Sequence, residues 1–157
     1  MDQELKRTFT RRISQSNKTE LVVVIFDIYF AHTECAVKQK AVGDRRGYKE
    51  SLRLAVDVQN ELIRALDMKY EISENLKAIY QYCKRLVYRA LSEDNIDYLK
   101  ESDRLMGKLR ESFVEVAKTD NSAKMMQNTQ NVYAGITYGN GTLNENYDYS
   151  ASRGFFA

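Results

Sequence analysis

The chain has no proline and no tryptophan, and it has only one histidine and two cysteines among its 157 residues. Without proline, long helices meet no obligatory break, and their ends depend on glycine and on capping side chains. The single histidine, His32, excludes a di-metal carboxylate bundle, which needs a Glu-x-x-His pair on each of two helices. His32 and Cys35 alone do not make a zinc site, and no second histidine exists to activate a nucleophile. We therefore predict no catalytic residue, no metal, no cofactor and no enzymatic activity.

Long apolar runs and a strong charge of one sign are also missing. The apolar stretch 21–26 is far shorter than the roughly 20 residues of a membrane span, and the N-terminus lacks a signal-peptide pattern. The net charge of +2 is too small to favour nucleic acid. Cys35 and Cys83 fall on predicted apolar helix faces, which indicates buried reduced thiols, although a disulfide between them stays open. We predict a cytoplasmic protein with no nucleic-acid partner and no membrane insertion.

Four segments carry apolar residues at alternating four- and three-residue steps, which is the period of one helix face. The first begins at Asn17, where Glu20 completes a capping-box pattern, and its inner stripe continues through Ile28, His32 and Cys35. The stripes of the other three are Tyr48, Leu52, Ala55, Gln59, Leu62 and Leu66; Ile72, Leu76, Ile79, Cys83, Leu86 and Ala90; and Leu99, Ser102, Met106, Leu109, Phe113 and Val116. Because the connections are short, we predict an all-α fold, an antiparallel up-down four-helix bundle over residues 17–119.

The two flanks of this bundle differ in character. Residues 1–16 form an N-terminal arm with apolar positions at i, i+4 and i+8, which fits either a helical turn or an extended strand of chain. The stretch 21–26 is apolar on every side and needs a cover, for which this arm is the nearest candidate. Residues 120–157 hold six asparagines, four glycines and four tyrosines, so we predict a low-complexity flexible tail. Its Phe155-Phe156 pair is either a weak internal competitor for a partner site or without a role.

One string in the chain resembles a known family. Asn60, Leu66-Asp67, Glu71-Ile72, Asn75-Leu76 and Ile79–Tyr82 stand in the order found around the helix 2–3 turn of the flagellin-specific export chaperones, the FliS family. The helix start at 16–21 and the Leu-Arg-x-x-aromatic step at 109–113 are similar to that family too. Two departures are Lys69-Tyr70 in place of paired glycines in the turn, and Lys18 in place of a proline.

The resemblance implies a function. Members of the family bind the C-terminal region of newly made flagellin in the cytoplasm, prevent its premature polymerisation and assist its export. It implies a stoichiometric flagellin partner, and it leaves open whether other flagellar regulators also bind. The alternative is a helical-bundle adaptor or regulatory protein that binds a partner helix unrelated to flagellin.

The candidate partner-binding residues lie mostly outside the inner stripes or close to the turn. Phe9 and Ile13 of the arm are expected to shield the first helix and the adjoining groove, and then to move aside. The others are Val56, Asn60, Ile63, Asn75, Tyr80, Tyr82, Val87 and Leu91. The alternative for the apolar members is an ordinary wide core face, and for the two asparagines it is capping or bracing of helices.

Overall fold

The computed structural model describes residues 3–126, and they form five helices with no strand in that range. The helices are α1 Gln3–Gln15, α2 Lys18–Ala41, α3 Arg45–Arg64, α4 Glu71–Ser92 and α5 Ile96–Thr119. The all-α prediction is confirmed. The helix count differs from the predicted four, because the N-terminal arm is itself a 13-residue helix. Most of the predicted tail, with Phe155-Phe156, lies outside the described residues.

Helix α1 packs against α2 and against no other helix. Phe9 is the buried apolar side chain of α1, while Leu5 and Ile13 on the same face are half-buried. The arm thus takes the helical alternative because its three apolar residues at four-residue spacing can all reach α2. All six residues of 21–26 are buried or half-buried, as the need for a cover predicts.

The ends of α2 and the start of α3 follow from local sequence. The Asn17 side chain accepts a hydrogen bond from the Glu20 amide, and the Glu20 carboxylate accepts one from the Asn17 amide, so the predicted capping box is confirmed. The chain leaves α2 through Gly43 at φ +76°, a left-handed conformation that glycine adopts without strain. Asp44 then caps α3 by accepting from the Gly47 amide.

Two further turns join the remaining helices. In the α3–α4 turn the Asp67 carboxylate accepts from the Lys69 amide, and the Asp67 carbonyl accepts from the Ser73 hydroxyl at 2.6 Å. These hydrogen bonds stabilise the turn, in which Lys69 and Tyr70 stand where the family that the sequence resembles has paired glycines. In the α4–α5 turn Asp94 is left-handed (φ 54°), and its carbonyl and carboxylate both accept from Lys40 of α2.

Helices α2 and α4 each contact both α3 and α5, and one shared core lies between the four. Hydrogen bonds join Asn17 to Asp120 near one end of α2 and α5, and Tyr29 to Ser102 near their middle. We call the first of these ends, where α2 begins and α5 finishes, the Asn17 end, and the opposite one the Asp94 end. The largest fully buried side chains include Phe26, Tyr29, Leu52, Tyr80, Leu99 and Met106.

Polar groups inside this core are mostly paired. The Tyr29 hydroxyl lies 2.8 Å from Ser102 Oγ, which donates in turn to the Cys83 carbonyl at 3.3 Å. Gln59 is fully buried, and neither its amide nitrogen nor its oxygen has a hydrogen-bond partner in the described part of the chain. Among residues 3–126, no helix has both the length and the apolar character needed to cross a bilayer.

Candidate functional site

The described residues hold no cluster of three or more side chains suited to bind a metal ion. His32 is buried, as expected for a residue of the predicted inner stripe. Burial lowers the pKa of His32, and the positive charge of Lys6 on α1 acts in the same direction. The hydrophobic core residues of α2 are Phe26, Tyr29 and Ala36. Cys83 is a free buried thiol, and burial raises its pKa to about 11, which makes it a weak nucleophile.

Three predicted partner-binding residues are core residues. Val56, Tyr80 and Val87 belong to the hydrophobic core, so the expectation that they lie outside the inner stripes is wrong. The predicted stripe residues Cys83, Leu86 and Ala90 of α4 are buried, and the buried face of α4 also includes Tyr80, whose ring packs against Phe26 with 6.2 Å between ring centroids. In this conformation the three side chains offer no surface to a partner.

The remaining predicted residues on α3 and α4 are more accessible. Ile63 and Leu91 are half-buried against the core. The Asn60 oxygen accepts from Lys84 Nζ at 3.1 Å, so Asn60 braces α3 against α4. Asn75 is exposed. Tyr82 is also exposed, with the Arg85 guanidinium 5.6 Å from its ring centre.

An exposed apolar surface lies where the sequence predicted core. Ile72 is 65% exposed and Val116 is 54% exposed, although both were placed on inner stripes. In the first turn of α4 the buried residue is Ser73, and Ile72 is not buried. The surface on these two helices, called here the α4–α5 strip, also contains four half-buried side chains, Leu76, Ile79, Leu109 and Phe113.

The pairing of α4 with α5 brings the two exposed members of the strip to the same end. Ser102 bonds to the Cys83 carbonyl, and Arg89 bonds to the Tyr98 hydroxyl, so the residue number rises on one helix as it falls on the other. Continued toward the Asn17 end, this register sets Ile72 close to the last turns of α5. Met68 and Tyr70, in the adjoining α3–α4 turn, are 48% and 64% exposed.

Sequence reasoning missed this surface, although a signal was present. Met68, Tyr70 and Ile72 are large apolar residues in or beside a predicted turn, where polar residues are the usual choice. Exposed apolar residues that are grouped on one part of a surface commonly mark an interaction site. The other exposed large apolar residues described at this end are Met125 and Met126.

The two predicted residues of α1 lie at a second place. Phe9 is buried and Ile13 is half-buried on α1, which packs against α2, and their shielding role stays a prediction. Arg12 of α1 and Arg110 of α5 each bond to one carboxylate oxygen of Asp27 on α2, both at 2.6 Å. Beside them, at the Asn17 end, an open cleft of about 530 Å³ has an apolar part formed by Val23, Val24, Val114 and Ala117.

Comparison with known protein families gives one match to this chain. The model of the family described as Flagellar protein FliS matches residues 1–120, which includes all five helices. No curated protein matches the chain.

Proposed function

Because the chain belongs to the FliS family of flagellar export chaperones, we propose that it binds the C-terminal segment of flagellin in a one-to-one complex. Binding would keep that segment from polymerising before export, and it would take place in the cytoplasm. Helical segments that pair with one another in an assembled filament expose apolar faces when unpaired, and such faces aggregate. The family is a chaperone family rather than a class of enzymes, and we propose no reaction.

The observation that carries the proposal is the exposed α4–α5 strip. Ile72 and Val116 present apolar side chains to solvent on two paired helices, and the same helices carry the half-buried apolar residues of the strip. An amphipathic helix binds such a surface by placing residues at i, i+3, i+4 and i+7 against it. The aliphatic side chains of the strip fit an apolar helix face better than a charged ligand.

The scaffold that we propose for this surface is the predicted antiparallel up-down bundle, formed by α2–α5. It is supported by the opposite order of the paired residues, Asn17 with Asp120 and Tyr29 with Ser102, along α2 and α5. A rigid bundle presents the strip without the entropy cost of ordering a loop. Asn75 and Tyr82, exposed on α4, are the predicted partner-binding residues that remain available to the client.

We also propose that α1 gates part of the client path. Phe9 and Ile13 cover the apolar surface of α2, and α1 packs against no other helix, so its departure would uncover that surface while leaving the shared core in place. In this proposal a client helix docks first on the strip and then competes with α1. A gate of this kind makes binding and release both feasible.

The direct test measures the affinity of a flagellin C-terminal peptide for the full chain by titration calorimetry, which also gives the stoichiometry. Ile72→Glu and Val116→Glu place a charge on the two exposed members of the strip, and we expect each to weaken binding at least tenfold. Both residues are exposed, so the substitutions should leave folding intact.

The matched control is Val42→Glu. Val42 is 80% exposed but lies at the Asp94 end, away from the strip. We expect this variant to bind the peptide as the unchanged chain does. Equal affinities for all three variants would exclude the strip as the docking surface, and no binding of flagellin by the unchanged chain would leave the adaptor alternative.

A further inference from the structure

The segment that follows α5 makes an unusual set of contacts. Residues 120–126 run back to the two-residue link between α1 and α2, and three hydrogen bonds join these distant parts of the chain. The Met125 amide donates to the Ser16 carbonyl at 3.0 Å, and Asn17 Nδ2 donates to the Asp120 carbonyl at 3.0 Å. The Thr19 hydroxyl donates to the Asp120 carboxylate at 2.5 Å.

The two-residue link that receives these hydrogen bonds, Ser16 and Asn17, is held in place by its surroundings. Ser16 and Asn17 are both buried, and their polar groups are already committed to local partners. Ser16 Oγ donates to the Arg12 carbonyl at 2.6 Å, and the Asn17 amide donates to the Glu20 carboxylate at 2.9 Å. Any rotation of α1 away from α2 must change the backbone angles of these two residues, because no other residue lies between the helices.

We propose that residues 120–126 act as a strap that fixes the α1–α2 link, so that α1 is held in its docked position by contacts at its base as well as by Phe9. Asp120 is the centre of the strap. One of its carboxylate oxygens accepts from Thr19, and the other accepts from the Ser122 amide at 2.9 Å, which turns the segment back toward the link. The Thr19 hydroxyl, together with Ser122, lowers the pKa of Asp120, so the carboxylate is an anion at neutral pH.

The strap connects the α1–α2 link to the C-terminal end of α5. A change in the segment after α5 would then alter the docking of α1, although the two lie about 100 residues apart in the sequence, as the Thr19–Asp120 bond shows. The proposal that residues 120–126 form a strap does not depend on the identity of any client. Its consequence for client access rests on the proposed function.

The test is amide hydrogen exchange of the full chain, followed in peptides from α1 and from α4. Asp120→Ala removes the acceptor for Thr19 and the turn at Ser122. We expect α1 amides to exchange about 5–30-fold faster, a change that corresponds to the loss of one or two hydrogen bonds. The α4 amides should exchange at an unchanged rate.

Two more variants make the experiment specific. Thr19→Val keeps the side-chain shape and removes only the hydroxyl, and we expect a smaller acceleration confined to α1. Glu111→Ala removes an exposed carboxylate from α5, the helix that precedes the strap, and should leave α1 exchange within twofold of the unchanged chain. The strap is overturned if Asp120→Ala behaves like Glu111→Ala, or if α1 and α4 accelerate equally.

A flagellin-peptide titration of the same variants separates the strap from the proposed function. Faster α1 exchange together with tighter peptide binding supports both the strap and its control of access. Faster α1 exchange with unchanged affinity supports the strap and overturns its control of access. Absence of peptide binding in every variant contradicts the proposed function, while the exchange rates still decide on the strap.

Discussion

Asp103 on α5 is placed where ionisation is unfavourable. Burial raises its pKa to about 6, and the nearby charge of Glu34 adds to this effect, while the hydroxyl groups of Tyr29 and Thr33 oppose it. One carboxylate oxygen is buried and has no hydrogen-bond partner among the described residues. In the unfolded chain an aspartate ionises near pH 3.9. The folded state therefore holds this proton more tightly, so the protein loses stability as the pH rises from about 4 to about 6, and the full destabilisation by the ionised Asp103 is present above that range.

Replacing this carboxylate should stabilise the protein in a pH-dependent way. We expect Asp103→Asn to raise the free energy of unfolding by about 1–2 kcal/mol at pH 7.5, after allowance for partial exposure, and by less at pH 5. Denaturant unfolding at the two pH values measures the difference. The control Glu111→Gln, an exposed carboxylate on the same helix, should change stability by less than about 0.5 kcal/mol. A gain at pH 5 as large as that at pH 7.5 would contradict the assignment to Asp103.

At the level of single residues, the sequence indicates which side chains are apolar enough to be buried. It is a weaker guide to which of them the fold does bury. The stripe on α3 from Tyr48 to Leu62 is buried as predicted. On α4 the predicted stripe residues Cys83, Leu86 and Ala90 are buried, but Tyr80 is buried as well, against Phe26, and Ile72 lies at the surface. That contact joins two helices that are distant in sequence, so periodicity along one helix cannot show it.

Helix α1 is the element whose removal should matter most without destroying the core. Deleting residues 1–15 keeps Asn17 and its capping box but removes Phe9 and uncovers α2. We expect the free energy of unfolding to fall by about 2–3 kcal/mol, the order expected for losing one buried aromatic side chain and its partners. We expect the affinity for the flagellin peptide to rise, because α1 no longer competes with the client.

Chemical denaturation and peptide titration check this pair of effects. Phe9→Ala is the milder version, and it should shift both quantities in the same direction by smaller amounts. Arg11→Ala, on the exposed face of the same helix, should shift neither. The gate is contradicted if the deletion leaves both stability and affinity unchanged.

The elements themselves were largely predictable, because their signals are local. The capping box at Asn17 and the break at Gly43 mark the two ends of α2 where the structure has them. Three apolar residues at four-residue spacing fit either a helical turn or an extended arm, because the sequence alone does not show whether a neighbouring surface exists to receive them. Burial of Phe9 against α2 supplies that surface.

On the scale of the described molecule, exposed apolar residues are distributed unevenly. Six exposed large apolar residues lie at the Asn17 end or next to it, and three lie toward the Asp94 end. The six are Met68, Tyr70, Ile72, Val116, Met125 and Met126, and the three are Val37, Val42 and Tyr88. The hydrogen bonds that link α1 and the strap are at the Asn17 end too. The end with more exposed apolar residues is therefore also the end at which the proposed strap holds α1.

A chain that stops after residue 126 should keep its stability. The core lies within residues 3–126, so we expect thermal unfolding to remain within about 2 °C of the full chain. Affinity for the flagellin peptide should also be unchanged if residues 127–157 have no role in binding. A rise in affinity on truncation would instead support the internal competitor predicted for Phe155-Phe156.

Asp27 shares its two oxygens between Arg12 of α1 and Arg110 of α5. If α1 departs, Arg110 can remain, and the half-buried anion is never stranded without a counter-charge. The penalty that normally accompanies breaking such an ion pair is thereby avoided. If α1 acts as the proposed gate, it can leave and return repeatedly at low electrostatic cost, because Arg110 keeps Asp27 paired.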